Sequence, residues 1–519
     1  MKNVLLLPCD TRPPTLDYPH QLARAAGLEM RSPPLEILND LNTPGDVKAI
    51  AAWLLERARW ADVAIITIET LCLGGMIPAR RVTDSLEDAL QRLELLRELK
   101  RINPNLRILA YGVIVRVAHD NDPLEEKPYY GEWGKQLRLV SEWMDRVDRS
   151  GPNGLTDRNG HNTDRGEAAT TLAQARAAVP TTILEDWLST RERNHALHQR
   201  ALEMLADGTL EHLCLTLDDT TPYGLAARDR RRLEARIDAL KLWDRADVYP
   251  GADEVAAVLL ARAIVNHSGR KPKVWVRYPS SLAEQSVMLY EDRLLGELLK
   301  AHLRAAGCVP ASRLQSADLI FAVNAPALRQ AHRQPNFESV DTANRHLPEF
   351  LERIQDDLGA QRKVVMADVA YANGAEDRLV QMLLDRIDLT QLAGFGAWNT
   401  AGNTLGGAIA SGVIALECAD PLALCEANFS RLVDDWLYQG RVRGEVREAL
   451  ENPSPFDLGE LRGRAESEIA DRIAPLAQDL FDKHFAPKLP GVRLEWGQPR
   501  LSWPRLFSGV FPLEFKRKP

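Results

Sequence analysis

Short apolar runs alternate with longer amphipathic stretches over about the first four hundred residues. The short runs are Val4–Leu7, Val63–Ile68, Ile108–Val115, Leu213–Leu217, Val248–Tyr249, Val274–Val276, Leu319–Val323, Val364–Met366 and Leu392–Ala397. Each has the length and β-branched or apolar content of a buried strand. Between them, apolar positions recur at helical spacing over Asp46–Arg59, Leu86–Lys100, Glu254–Asn266, Glu291–Ala306, Arg345–Leu358 and Asp377–Ile387. In "NTPGDVKAIAAWLLERA" turn residues and an acid precede the periodic run, which marks a helix start. This alternation predicts an α/β fold with a mainly parallel sheet covered by helices.

Two architectures use these strands. A (β/α)8-barrel-like catalytic region takes eight of the nine and leaves one outside. Two doubly wound, Rossmann-like domains, splitting near Arg270 in "NHSGRKPK", take all nine. The barrel is the preferred reading and the two-lobed arrangement the alternative. Residues 1–415 form the α/β catalytic domain in the preferred reading. Residues 148–169, "DRSGPNGLTDRNGHNTDRGEAA", read as a polar insertion that either borders a site or simply connects two elements. Strands are expected to cease after Cys418. The 416–519 region then reads as helical over Ala427–Phe485, followed by an extension carrying Trp496, Trp503 and Phe507.

Composition narrows the function classes. The chain has 519 residues, 45% hydrophobic and 27% charged, as in ordinary globular proteins. A net charge of −8 argues against nucleic acid, which calls for a basic stripe. No stretch approaches the ~20 apolar residues of a membrane span, and Val4–Leu7 is far shorter than a secretory apolar core. The six cysteines form no CxxC pair and read as buried reduced thiols of a cytoplasmic protein. A homo-oligomer is compatible with the sequence.

Both architectures place function at the C-terminal ends of the strands. Polar residues gather there. Strand one ends in Asp10 and Arg12; strand two runs into Glu69, Gly74, Gly75 and Arg80; strand three ends in Arg116, His119 and Asp120. The fourth ends in Asp218 and Asp219, followed by Tyr223, and the fifth in Asp253 and Glu254. Tyr278 follows the sixth, Asn324 the seventh, Asp368 the eighth, and Trp398, Asn399 and Asn403 the last. Carboxylates and amides fork onto vicinal hydroxyls, and aromatic faces stack on sugar rings, so the mix suits a small-molecule carbohydrate. Simpler readings stand beside this one. Asp10 and Arg12 can be an ion pair, Gly74 and Gly75 a tight turn, and Asp253 or Glu254 a helix cap. Asn399 and Asn403 can be turn residues. "RERNH", Arg191 to His195, reads as a solvated helix face. No HExxH or GxSxG pattern occurs.

Adjacent strand residues face opposite ways, but that alternation relaxes where a strand ends. Asp218 and Asp219 can then address one ligand. Like charges in proximity separate their pKa values, leaving one acid protonated and one ionised, the division of labour that glycoside cleavage needs. Other uses are a divalent metal held with Asp10, or a turn with Asp219 capping its own backbone.

Several motifs recur together: LLPxDxRP at Leu6, Leu7, Pro8, Asp10, Arg12 and Pro13; an acid-x-L-x-x-GG-x-x-x-x-R at Glu69 to Arg80; DDxxPYG at Asp218 to Gly224; PGADE at Pro250 to Glu254; and a WNTxxN at Trp398 to Asn403. Over nearly its whole length the chain resembles a bacterial family known only as a domain of unknown function. It departs from that pattern at Glu69, usually aspartate, and Ala397, usually glycine. The DD pair and "WNTAGN" also resemble the O-GlcNAcase-type glycosidases. That resemblance implies a retaining exo-β-N-acetylhexosaminidase acting on GlcNAc or GalNAc glycosides by substrate assistance, without cofactor or metal. Asp218 would orient the acetamido N–H, and Asp219 would be the acid and base. Asp10, Arg12, Glu69, Arg116, Tyr223, Asp253, Glu254, Tyr278, Trp398, Asn399 and Asn403 are the expected substrate-binding residues. The alternatives are a metal-dependent hydrolase of a phosphate or carbohydrate ester and a sugar-binding protein without turnover.

Overall fold

The computed structural model describes residues 1–118, 121–151, 155–156, 162–332 and 344–518. His119, Asp120 and positions 152–154 and 157–161 of the polar insertion lie outside the described residues. All nine expected strands are present in two parallel sheets, each of which also has one short edge strand. In the first sheet, β1 (Asn3–Leu7), β2 (Glu29–Arg31), β3 (Val63–Thr67), β4 (Arg107–Ile114), β5 (His212–Leu217) and β6 (Ala246–Pro250) run parallel in the order β2-β1-β3-β4-β5-β6. In the second, β7 (Lys273–Arg277), β8 (Val309–Pro310), β9 (Leu319–Asn324), β10 (Lys363–Asp368) and β11 (Gly394–Gly396) are parallel in the order β8-β7-β9-β10-β11. Among the described residues no strand pairing joins the two sheets. The chain passes from one sheet to the other between Ser268 and Lys273, within "NHSGRKPK".

Parallel strands covered on both faces should be apolar throughout. Every residue of β3 and β5 is buried. One face of each sheet shares a single core. Val4, Leu6 and Ile65 of the first sheet join Phe321, Val323 and Val365 of the second through the Val255–Ser268 and Ala401–Leu416 helices. The latter helix is rich in glycine and alanine. A Cβ on Gly402 would stand 2.6 Å from the Pro250 carbonyl oxygen, and one on Gly406 would overlap the Glu254 side chain. The missing side chains are what allow the Ala401–Leu416 helix to press onto the loop that leaves β6.

Four expectations need correction. Strands do not cease after Cys418: Val492–Trp496 pairs antiparallel with Leu513–Arg517, and Arg500–Leu501 with Gly509–Val510. Cross-strand pairing within a proline-rich tail leaves little periodicity to detect. The Leu86–Lys100 pattern is two helices, Leu86–Leu93 and Leu95–Ile102. The helix expected from Glu291 starts at Leu295, because Glu291 accepts the Gly402 N–H and Asp292 pairs with Arg230. "RERNH" is not solvated. Arg193 and Asn194 are buried and donate to the Ala79 carbonyl. His195 is buried too, and burial pushes its pKa down to about 4. All six cysteines are free, with only Cys418 partly exposed. No described helix is long and apolar enough to cross a membrane.

The close helix approach makes opposite predictions at two helical glycines. Gly406→Ala should lower stability by about 1–3 kcal/mol through overpacking. Gly463→Ala, where a Cβ meets nothing within 4 Å, should gain about 0.5–1 kcal/mol. Urea unfolding of both variants reads the signs; a stabilised Gly406→Ala removes the packing argument.

Candidate active site

Strand register sets the site. Ile114 of β4 lies level with Leu217 of β5, and Leu217 with Pro250 of β6. The loops carrying Arg116, Asp218, Asp219 and Asp253 therefore leave one edge of the sheet together. The chain turns sharply at once: Asp219 has φ 41°. That left-handed conformation is uncommon outside glycine but is tolerated by aspartate. It breaks the strand alternation and brings both acids to one cation. Arg116 Nη1 lies 2.7 Å from Asp219 Oδ2 and 3.9 Å from Asp218 Oδ2. Arg80 Nη2 donates to Asp218 Oδ2 at 2.6 Å.

The same two arginines reach a second acid pair. Arg116 donates to Glu125 at 2.7 Å and to Glu126 at 3.4 Å. Arg80 donates to the same two side chains at 3.3 and 3.2 Å. Arg505, from the C-terminal segment, also pairs with Glu125. Three guanidiniums thus face four carboxylates, and the excess negative charge has physical consequences. Burial raises the Asp219 pKa to about 7, the Asp218 charge adding to the rise and Arg116 opposing it. Burial also raises Glu126. At Glu125 burial acts in the same sense, but Arg116, Arg505 and Arg80 overcome it and hold that acid below the usual range.

A second network adjoins the first. Arg12 is gripped from both sides. Its Nε and Nη2 donate to Asp10 Oδ2 at 3.1 and 2.6 Å, and its Nη1 and Nη2 donate to Asp253 at 3.0 and 2.5 Å. The ion pair admitted for Asp10 and Arg12 is therefore real and extends to a third member. Trp398 Nε1 donates to Asp253 Oδ2 at 3.1 Å, which fastens β11's loop to β6's loop. Burial, then the Asp10 and Asp218 charges, raise Asp253 to about 6 against the pull of Arg12. Asn403 Oδ1 accepts the N–H groups of Ala252 and Asp253, both at 3.1 Å.

The remaining expected residues sit apart from these two networks. Glu69 is buried behind the strand ends, pairing with His198 at 2.7 Å and accepting the Val113 N–H. Glu254 turns back to the Ala252 N–H and to His302, so its carboxylate caps no helix. Tyr278 follows the end of β7, near Glu284. The Tyr223 ring lies 4.2 Å from the Arg146 guanidinium and 4.5 Å from that of Arg149. Asn399 has φ 55°, and its carbonyl accepts the Asn373 N–H. Trp398 is 4% exposed, with its ring 4.9 Å from that of Phe507, so its faces are not an open platform.

Sequence reasoning left Arg80, Glu125, Glu126, Trp503, Arg505 and Phe507 out of the site. Arg80 had a signal, closing the GG-x-x-x-x-R motif. The doubled acid Glu125-Glu126 had none, and the C-terminal three were placed in a packing extension. Trp503 stacks on the Arg12 guanidinium at 4.6 Å. Trp503 Nε1 and Arg505 Nη2 are buried donors without a partner among the described residues. The three acids proposed as metal ligands, Asp10, Asp218 and Asp219, are each already paired with an arginine. His212, Cys214 and Asp247 have donor atoms within 4.8 Å of one another, in the body of the first sheet, but Arg304 pairs with that Asp247 at 2.5 Å. A cavity of 850 Å³ opens at the opposite strand ends, and the guanidiniums of Arg245 and Arg262 there donate to main-chain carbonyls.

The family model described as "Protein of unknown function (DUF4127)" matches residues 4–510, and the chain belongs to that family. No curated protein matches the chain.

The raised Asp219 pKa has a stability consequence. An unfolded aspartate titrates near ~3.9, and the folded one near 7. Between these values the folded state holds more protons, so stability falls as pH rises. Asp219→Asn should gain on wild type from about pH 4 to about pH 8, by at most about 4 kcal/mol. Melting temperatures of both proteins across that range measure it; a pH-independent difference removes the assignment.

Proposed function

We propose that the protein is a glycoside hydrolase, and in the finer reading a retaining exo-β-N-acetylhexosaminidase for GlcNAc or GalNAc glycosides. The carrying observation is the unlike treatment of two neighbouring acids. Asp218 Oδ2 faces two guanidiniums, Arg80 at 2.6 Å and Arg116 at 3.9 Å. Asp219 Oδ2 faces Arg116 alone, at 2.7 Å. Its pKa near 7 suits a group that gives and retrieves a proton near neutrality.

In this reading the substrate's acetamido oxygen attacks C1 while Asp219 protonates the leaving oxygen, which departs with the bonding electron pair. Asp218 accepts the acetamido N–H and balances the charge of the oxazolinium. Asp219 then takes a proton from water, and that water opens the ring at C1 with net retention. The Arg12, Asp253 and Trp398 network sets the position of β6's loop beside the pair. No cofactor enters these steps. The metal-hydrolase alternative is disfavoured, since each acid it needs already holds an arginine as its partner. The strand orders support two doubly wound lobes rather than a barrel, with the first lobe's crevice between β1 and β3. That architecture also suits a sugar-binding protein without turnover.

Chromogenic β-GlcNAc and β-GalNAc decide between them. Wild type should hydrolyse at least one, and on the matching methyl glycoside, whose leaving oxygen needs a proton, kcat/KM should fall above about pH 7 as Asp219 loses its proton. On that methyl glycoside Asp219→Ala should lose about 10²–10⁴-fold, and a chelator should change nothing. Absence of turnover on these and related 2-acetamido sugars would remove the hydrolase reading.

A further inference from the structure

Asp219 borders a cavity of 290 Å³. Among the described residues its lining includes Asp219 but not Asp218, Arg80, Arg116 or Trp398. The cavity thus lies on one side of the acid pair, away from the arginine network. Its wall combines an apolar part, Val117, Pro222, Tyr223 and Ala226, with the polar side chains Arg138 and Glu142. Several contacts hold the wall in place. Gly224 N–H donates to buried Asp145, Leu225 N–H donates to Ser141, and the Tyr223 ring is covered by two arginines. The DDxxPYG segment therefore ends as a built wall and not as a loose loop.

A proton donor stands beside the oxygen it protonates, and everything beyond that oxygen extends to the donor's side. We infer that this cavity is the leaving-group subsite, taking a single sugar or aryl ring between Tyr223, Pro222 and Ala226. The inference rests on the hydrolase reading and adds a substrate class to it. The volume is about ten water volumes at ~30 Å³ each and falls at the small end of ligand pockets. One ring fills it, so the subsite recognises the single ring next to the cleaved bond. An apolar wall opposite a polar pair matches a pyranose or a substituted phenyl, which has one face of each kind.

Filling the cavity tests this. The same 2-acetamido sugar is offered with a p-nitrophenyl or a fluoride leaving group; neither depends heavily on acid assistance, and only the first needs the space. In Ala226→Phe the ratio of kcat/KM for the aryl glycoside to that for the fluoride should fall at least about tenfold. Thr221→Trp, at the partly exposed rim, serves if Ala226→Phe does not fold. An unchanged ratio in a folded variant overturns the subsite. Calorimetry on Asp219→Asn provides an arm without turnover. There the p-nitrophenyl glycoside should bind at least about fivefold more tightly than the methyl glycoside, and Ala226→Phe should abolish that gain. If wild type hydrolyses neither substrate but the gain is present, the hydrolase reading fails and the subsite stands. If hydrolysis occurs and the aryl ring adds no affinity, the subsite fails alone.

Discussion

Charge pairing at the strand ends is the constraint on which this molecule depends. Arg12, Arg80, Arg116 and Arg505 are set among Asp10, Asp253, Asp218, Asp219, Glu125 and Glu126, all buried or nearly so. An isolated charge in such a place costs several kcal/mol. Each group is tolerable only because another element delivers its partner. The loops after β1, β3, β4, β5 and β6 are therefore not independent, and displacing one strands the charges of the others. With carboxylates outnumbering guanidiniums, protons supply the balance, and Asp219 and Asp253 titrate near neutrality.

The second constraint is proximity between the two parallel sheets. Trp398 belongs to the second sheet's last loop, yet its N–H completes the first sheet's acid network. That bond requires the Ala401–Leu416 helix to lie against the Pro250–Glu254 loop, which Gly402 and Gly406 permit. The C-terminal segment closes over the junction. Trp503 lies on Arg12, Arg505 pairs with Glu125 and Phe507 lies on Trp398. It is anchored from behind, with Leu458 N–H donating to the Pro504 carbonyl and Gln439 donating to that of Phe507. A tail that looked like packing from its prolines and aromatics is part of the site's boundary.

Much of this was legible in the sequence for local reasons. Runs such as Val63–Ile68 and Leu213–Leu217 announce buried parallel strands because both faces are apolar, and their ends announce where polar chemistry collects. Asp10, Arg12, Arg116, Asp218, Asp219 and Asp253 were each found that way. Glu69 and Glu254 were found by the same rule, yet their side chains turn inward to His198 and His302. A position at a strand end does not tell which way a carboxylate points. The buried face of "RERNH" was hidden for a related reason: Arg193 and Asn194 are satisfied by the Ala79 carbonyl of a distant loop.

The chain's own order determined the α/β class, nine strands of the two parallel sheets and the placing of two acids at the end of β5, while the passage near Arg270 stood there only as the alternative to a barrel. Local periodicity carries that information, since each element's apolar pattern is set within a few residues. Tertiary structure alone decided the partners. Arg12 meets Asp253 across 241 residues and Arg505 meets Glu125 across 380. Coulomb forces and burial act through space, so which acid holds a proton, which tryptophan is covered and which cavity borders Asp219 were settled only when the two sheets and the tail came together.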